Sequence, residues 1–236
     1  MRTTHWLCAA LVAFSAGSAA HAQTAPPVQE KVFRYAFLIA ETGFDPQQLS
    51  DLYSRTVTGN IFETLYDYTY ITRPTKVRPV LAEGMPEVSP DFKTWTVHVK
   101  HGVYFADDPA FGGKRRELTA QDVVYTFKRV YDPKTRSPSL SSLDEEKILG
   151  LPALAAKAEK TGKFDYDSEV EGIRALDRYT VQFKLGVSRP RFVQTIADPG
   201  ILGIVAREVV EKYGDDIMAH PVGTGPFMLS EWKHSS

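Results

Sequence analysis

Two neighbouring stretches decide how this chain folds: Thr94-Trp-Thr-Val-His-Val-Lys100, and Thr119-Ala-Gln-Asp-Val-Val-Tyr-Thr-Phe-Lys-Arg-Val-Tyr131. Apolar and polar side chains alternate in the first stretch, which predicts a strand with one buried face. In the second, apolar residues recur at helical spacing behind Thr119, the predicted N-cap, and Asp122 favours the positive end of that helix. We therefore expect an antiparallel strand and an amphipathic helix that ends before Pro133.

The same reasoning predicts further elements on both sides of this region. They are a strand at 31–39 covered on both faces, a helix from 52 toward 66, a short helix near 145–160 interrupted at Gly150 and Pro152, a strand at 179–185, helices at 191–196 and 207–213, and an extended stretch at 227–232. Residues 76–79 and 83–86 are expected to be loops. Fifteen prolines and sixteen glycines suit a mixed α/β protein with many turns.

The composition is that of an ordinary globular protein with enough apolar residues for a core. The 236 residues are 43% hydrophobic and 24% charged, with a formal net charge of -1, which excludes a disordered chain. Near-neutral charge also argues against nucleic-acid binding, which needs a clustered excess of Lys and Arg. Cys8 is the single cysteine, so no disulfide framework can form within one chain.

Residues 1–22 have the three-part pattern of a secretory signal peptide. Arg2 precedes an apolar stretch, and Ala20-His-Ala22 supplies the small residues of a cleavage site between Ala22 and Gln23. The apolar stretch is too short to be a membrane anchor. We expect cleavage there, a flexible leader at 23–30, and an exported, soluble mature chain.

No group of residues in the sequence supports catalysis or a metal site. His98 and His101 lie three apart on a predicted strand, so their side chains point to opposite faces. Asp107-Asp108-Pro109 is typical of a turn, and Lys114-Arg-Arg116 of a solvated loop. Gly223-Thr-Gly225 lacks the third glycine and the lysine of a phosphate-binding loop. We predict no cofactor and no enzyme activity.

Several segments, in order, resemble the family 5 extracellular solute-binding proteins of ABC importers, the oligopeptide- and dipeptide-binding group. They are Gly43-Phe-Asp-Pro46, Asn60-Ile-Phe-Glu-Thr-Leu65, Leu81-Ala-Glu-Gly84, residues 95–105, residues 118–129, and Val222-Gly-Thr-Gly-Pro-Phe227 with Trp232. The resemblance implies an incomplete α/β fold of the type II periplasmic-binding-protein kind, with the second lobe missing. It implies a first-lobe segment at 31–61, an inserted α+β subdomain at 62–176 and a truncated return segment at 177–236.

This resemblance also implies a function: a monomeric periplasmic component that captures a peptide or peptide-like solute and delivers it to the permease subunits of an ABC importer. Nucleic acid is not an expected partner. The implied ligand-binding residues offer backbone groups to an extended ligand; they are Thr42, Gly43, Phe44, Asp45, Gly223, Thr224 and Gly225. Glycine suits close approach of a ligand backbone, but these glycines are equally explained as turn residues that join elements.

The resemblance leaves the ligand open, because peptides, nickel chelates, haem and oligosaccharides all occur as cargo in the family. One lobe alone supplies only part of the burial that a ligand needs. We therefore expect this chain alone to bind weakly or not at all, and to expose apolar surface. Two alternatives remain: a secreted hydrolase, and a sensor or chaperone-like binder on the same scaffold.

Overall fold

The computed structural model describes residues 31–233, in two compact units divided after Ala36. The predicted signal peptide, its cleavage site at Ala22 and Gln23, and the leader at 23–30 lie outside the described residues. The described part of the first unit, residues 31–36, has no regular secondary structure. Its Phe33 and Tyr35 rings stack with their centroids 6.4 Å apart.

The second unit contains all the helices and strands of the described chain. The helices are α1 (Leu52–Ile61), α2 (Ala120–Tyr131), α3 (Leu140–Glu145), α4 (Leu151–Thr161), α5 (Phe192–Thr195), α6 (Pro199–Leu202) and α7 (Arg207–Tyr213). The strands are β1 (Tyr66–Tyr68), β2 (Val77–Pro79), β3 (Glu87–Val88), β4 (Thr94–His98), β5 (Ile173–Ala175) and β6 (Thr180–Lys184). Short 3-10 turns follow at Pro109–Phe111 and Gly214–Ala219.

An antiparallel sheet in the order β3-β4-β6-β5 forms the centre of this unit. Trp95 lies opposite Phe183 in the β4–β6 register, and Val97 and Val181 are also buried. The apolar face of this sheet carries α2, whose Phe127 ring packs edge-on against Phe183 at 5.0 Å between centroids. A separate antiparallel hairpin joins β1 to β2.

Residues 94–100 and 119–131 fold as predicted. In β4, Trp95 and Val97 face the core, and His98 is exposed. In α2, the Asp122 carboxylate accepts a hydrogen bond of 2.7 Å from the Thr119 backbone amide, which satisfies one of the unpaired amides before the first turn. Strand β6 and helices α5 and α7 also lie where periodicity placed them.

The strand predicted at 31–39 is wrong. Residues 31–40 pair with no strand among the described residues, and Phe33 and Leu38 are 86% and 91% exposed. A strand that is apolar on both faces needs neighbouring strands and covering layers to form. The alternating pattern therefore favours a strand, but this segment does not pair with any strand among the described residues.

Four smaller expectations also need correction. Gly150 and Pro152 do not interrupt a helix: Gly150, with φ of 83°, is the N-cap of α4, and Pro152 lies in the first turn, where its missing amide costs nothing. Helix α1 ends at Ile61, short of residue 66. Residues 77–79, expected as a loop, form β2, and residues 227–232 contain no assigned strand.

Candidate ligand-binding site

The first predicted ligand loop, residues 42–45, is held at the N-terminus of α1. The Thr42 amide donates to the Ser54 hydroxyl at 2.9 Å, and the Thr42 hydroxyl donates to the Asp51 carboxylate at 2.6 Å. Asp51 is also the N-cap of α1 and accepts from the Ser54 amide at 2.8 Å. Partial burial raises the pKa of Asp51, but hydrogen bonds from Thr42 and Ser54 outweigh it, so the net pKa is lowered.

Gly43 and Phe44 pack against a segment from late in the chain. The backbone φ of Gly43 is 150°, and a Cβ there would lie 2.5 Å from the Met218 Cε. The Phe44 amide donates to the Met218 carbonyl at 2.8 Å, and the Phe44 ring contacts Trp232 with centroids 5.0 Å apart. The positive backbone φ therefore favours glycine at position 43, whereas the flexible Met218 side chain can shift away from an added Cβ.

The Asp45 side chain lies in the protein interior. It is buried, and its two carboxylate oxygens accept from the two terminal nitrogens of Arg129 at 2.8 and 2.6 Å. Gln47 completes the group: its carbonyl accepts from Arg129 at 2.6 Å, and its amide donates to the Gly203 carbonyl at 2.9 Å. This bidentate pair fixes the loop to α2, so the Asp45 carboxylate has a structural role.

The second predicted loop, Gly223-Thr-Gly225, packs on the C-terminal end of α1. A Cβ at Gly223 would lie 2.0 Å from the Ile61 carbonyl oxygen, and one at Gly225 would lie 2.6 Å from the Asn60 carbonyl oxygen. The Gly225 amide donates to Ile61 at 2.8 Å. The close approach that these glycines allow is to the chain's own backbone, and ligand contact at them stays a prediction.

Helix α1 therefore brings the two predicted loops to its two ends. Phe44 and Val222 also line one small apolar crevice with Phe62. Among residues 31–233, the Thr42 carbonyl and both backbone groups of Thr224 make no hydrogen bond. Thr42 is exposed and Thr224 half-buried. These backbone groups, on loops fixed by α1, are available to an extended ligand.

The other candidate residues are engaged elsewhere. His98 Nε2 lies 3.2 Å from Glu87, while the His101 ring stacks on Tyr179 at 3.8 Å. The Asp108 carboxylate accepts from the Ala110 amide at 2.7 Å, which confirms the predicted turn. Among the described residues, no group of three or more His, Cys, Asp and Glu side chains could hold a metal ion.

Two cationic side chains have partners that the sequence did not predict: Arg116 is half-buried and Lys128 is buried. Arg116, predicted on a solvated loop, pairs with Asp122 and Glu208, each at 2.7 Å. Burial raises the pKa of Glu208, but pairing with Arg116 outweighs this and lowers it. The Lys128 ammonium donates to the Tyr166 and Ser168 carbonyls. Burial lowers the pKa of Lys128.

No helix within residues 31–233 has the length and apolarity of a membrane span.

Comparison with known proteins identifies the family. Residues 76–236 match the model of bacterial extracellular solute-binding proteins, family 5. The chain is 27% identical over 230 residues to the periplasmic oligopeptide-binding protein OppA of Salmonella typhimurium, covering 94% of this chain and 38% of that protein. It is 32% identical over 203 residues to di/tripeptide-binding protein 1 of Pseudomonas aeruginosa, covering 81% of this chain and 33% of that protein.

A solved structure agrees with these sequence matches. Haemophilus influenzae OppA, in complex with the peptide RPPGFSPFR, superposes with a TM-score of 0.65 at 27% identity, over 81% of this chain and 34% of OppA. The chain thus spans between a third and two-fifths of the length of these relatives. Its fold corresponds to an incomplete α/β periplasmic-binding-protein fold. The chain belongs to the family 5 bacterial extracellular solute-binding proteins.

Proposed function

We propose that this chain forms one side of the ligand site in a periplasmic binding component that captures a peptide or peptide-like solute and delivers it to an ABC importer's permease. Family membership supports a solute-binding role. The relatives include oligopeptide- and di/tripeptide-binding proteins, which supports peptides as the solute class. We propose a periplasmic location on the same basis, and a monomer as the working unit.

The observation that carries this proposal is the set of unbonded backbone groups at Thr42 and Thr224. An extended peptide can add to such groups as a strand would, through main-chain hydrogen bonds that do not depend on its sequence. Both loops are fixed to α1 by hydrogen bonds, so little conformational freedom is lost when a ligand binds. In this proposal Thr42, Gly43, Phe44, Asp45 and the loop 223–225 contribute position and backbone, not charged side chains.

The division of the chain also remains a proposal: a first-lobe segment at 31–61, an inserted subdomain at 62–176 and a return segment at 177–236. The central sheet combines the last two segments, because β6 lies between β4 and β5.

A titration followed by NMR tests the proposed site. We expect trialanine to shift the backbone amide signals of Gly43 and Thr224. The dissociation constant should be above about 1 mM, because the two loops enclose the ligand from one side only. Trialanine with N-methylated peptide bonds is the matched control. It should shift these signals less, because it lacks the backbone donors of strand addition.

Two outcomes would contradict the proposal. If the chemical-shift changes are spread over the surface with no maximum at the two loops, the ligand does not bind at the proposed site. If the N-methylated peptide causes equal chemical-shift changes, the ligand does not bind by strand addition. Mass spectrometry of the recovered trialanine separates binding from the hydrolase alternative, since a binding protein returns the peptide intact.

A further inference from the structure

The hairpin of β1 and β2 carries the most solvent-exposed aromatic side chain of the described residues at its tip, which we define as residues 69–76. Tyr70 is 92% exposed, and its neighbour Ile71 is 86% exposed. Single exposed apolar residues are common on protein surfaces, but contiguous exposed apolar surface often marks an interaction site. The tip is separate from the loops of the proposed ligand site.

Contacts at the base of this hairpin fix the position of its tip. Tyr66 is fully buried, and the Tyr68 hydroxyl donates to the Gln194 carbonyl at 3.1 Å. Across the tip, the Thr69 amide donates to the Lys76 carbonyl at 2.7 Å. The Lys76 amide donates in return to the Thr69 hydroxyl at 3.0 Å. Between the paired residues Thr69 and Lys76, Tyr70 and Ile71 remain exposed to solvent.

Positive charge surrounds this apolar tip. Residues 68–82 contain Arg73, Lys76 and Arg78 and no carboxylate, although the whole chain has a net charge of -1. All three cationic residues are exposed. Arg78 is paired with Asp67 at 3.0 Å, which leaves Arg73 and Lys76 as the uncompensated cations of the hairpin.

We propose that the hairpin tip binds the surface of an anionic phospholipid bilayer. Tyrosine favours the headgroup region, where its ring is in a less polar layer and its hydroxyl stays hydrated. Ile71 would enter the acyl boundary, and Arg73 and Lys76 would attract anionic phosphate groups. A protein partner would need a pocket shaped for two projecting side chains, whereas a bilayer interface accepts them without one. This inference is independent of the proposed ligand.

Vesicle flotation with the full chain tests the inference. We expect the protein to float with vesicles that contain about one third phosphatidylglycerol, and much less with pure phosphatidylcholine. The double variant Tyr70→Ser/Ile71→Ser should reduce binding about tenfold. Arg73→Gln/Lys76→Gln should remove the preference for phosphatidylglycerol, because it removes the uncompensated charge.

The matched control is Phe227→Ser/Met228→Ser, which changes another adjacent apolar pair, 65% and 64% exposed. It should bind vesicles as the parent does, and any binding by the N-terminal segment is common to all variants. The inference is overturned if the parent does not float, if the tip variant binds like the parent, or if the control variant loses as much binding as the tip variant. Circular dichroism confirms that each variant is folded.

Discussion

Replacing Arg129 with methionine is expected to lower the free energy of unfolding by about 3–5 kcal/mol. The substitution leaves the Asp45 carboxylate buried without its cation and removes the donor to the Gln47 carbonyl. Water cannot easily replace these contacts, because the side chains of Arg129 and Asp45 are 4% and 0% exposed. Equilibrium unfolding in urea, followed by tryptophan fluorescence, measures the loss.

Lys147→Met is the matched control, since it removes a cation from an exposed pair with Asp144. That change should cost less than about 1 kcal/mol, as exposed ion pairs usually do. The double variant Arg129→Met/Asp45→Leu should regain part of the stability, because no unpaired charge is left inside. A loss at Arg129 no larger than that at Lys147 would show that the buried pair does not hold the loop.

The second large effect is expected at Gly223. Replacement by alanine should destabilise the chain by about 3 kcal/mol, because overpacking forces the backbone to move. The added Cβ would lie 2.0 Å from the Ile61 carbonyl oxygen. Both groups are fixed to the main chain, so no side-chain rotation relieves the contact. Thermal unfolding by circular dichroism would show the change as a lower midpoint.

Gly59→Ala provides a control of opposite sign within the helix that Gly223 contacts. Gly59 lies in α1, and nothing is within 4 Å of the position its Cβ would take. Alanine there should stabilise the chain by up to about 1 kcal/mol, through higher helix propensity. If Gly223→Ala is as stable as the parent, the packing of the 223–225 loop on α1 is looser than described.

Periodicity predicted α2, β4 and β6 well, but it missed β1 and β2 and predicted a strand at 31–39 that is absent from the described residues. Helix α2 extends over 12 residues, enough for several repeats of its apolar pattern, and β4 and β6 alternate over five residues each. Strands β1 and β2 contain three residues each, too few for an alternation to be recognised. They form because they pair with each other, which is a tertiary effect.

At the candidate site, too, local sequence patterns do not reveal tertiary contacts. Gly223 and Gly225 approach the backbone of α1 closely, but the sequence does not identify the approaching group, and ligand contact at these glycines and at Gly43 stays a prediction. The Asp45–Arg129 pair joins residues 84 positions apart, and no local pattern predicts it. The available signal was Lys128 and Arg129 at the end of a helix that is otherwise buried, where charged residues need partners.

The order of strands sets a sequence of events for a chain that emerges from the ribosome. Thr96 pairs with Gln182, 86 residues later, so β4 has an open edge until that part of the chain has been synthesised. Until then β5 also lacks its neighbour, and only the β3 side of β4 can close. Pairings so distant along the chain fold slowly, and an open edge strand invites contacts with other chains. A nascent chain of this protein therefore depends on the late arrival of one short central strand.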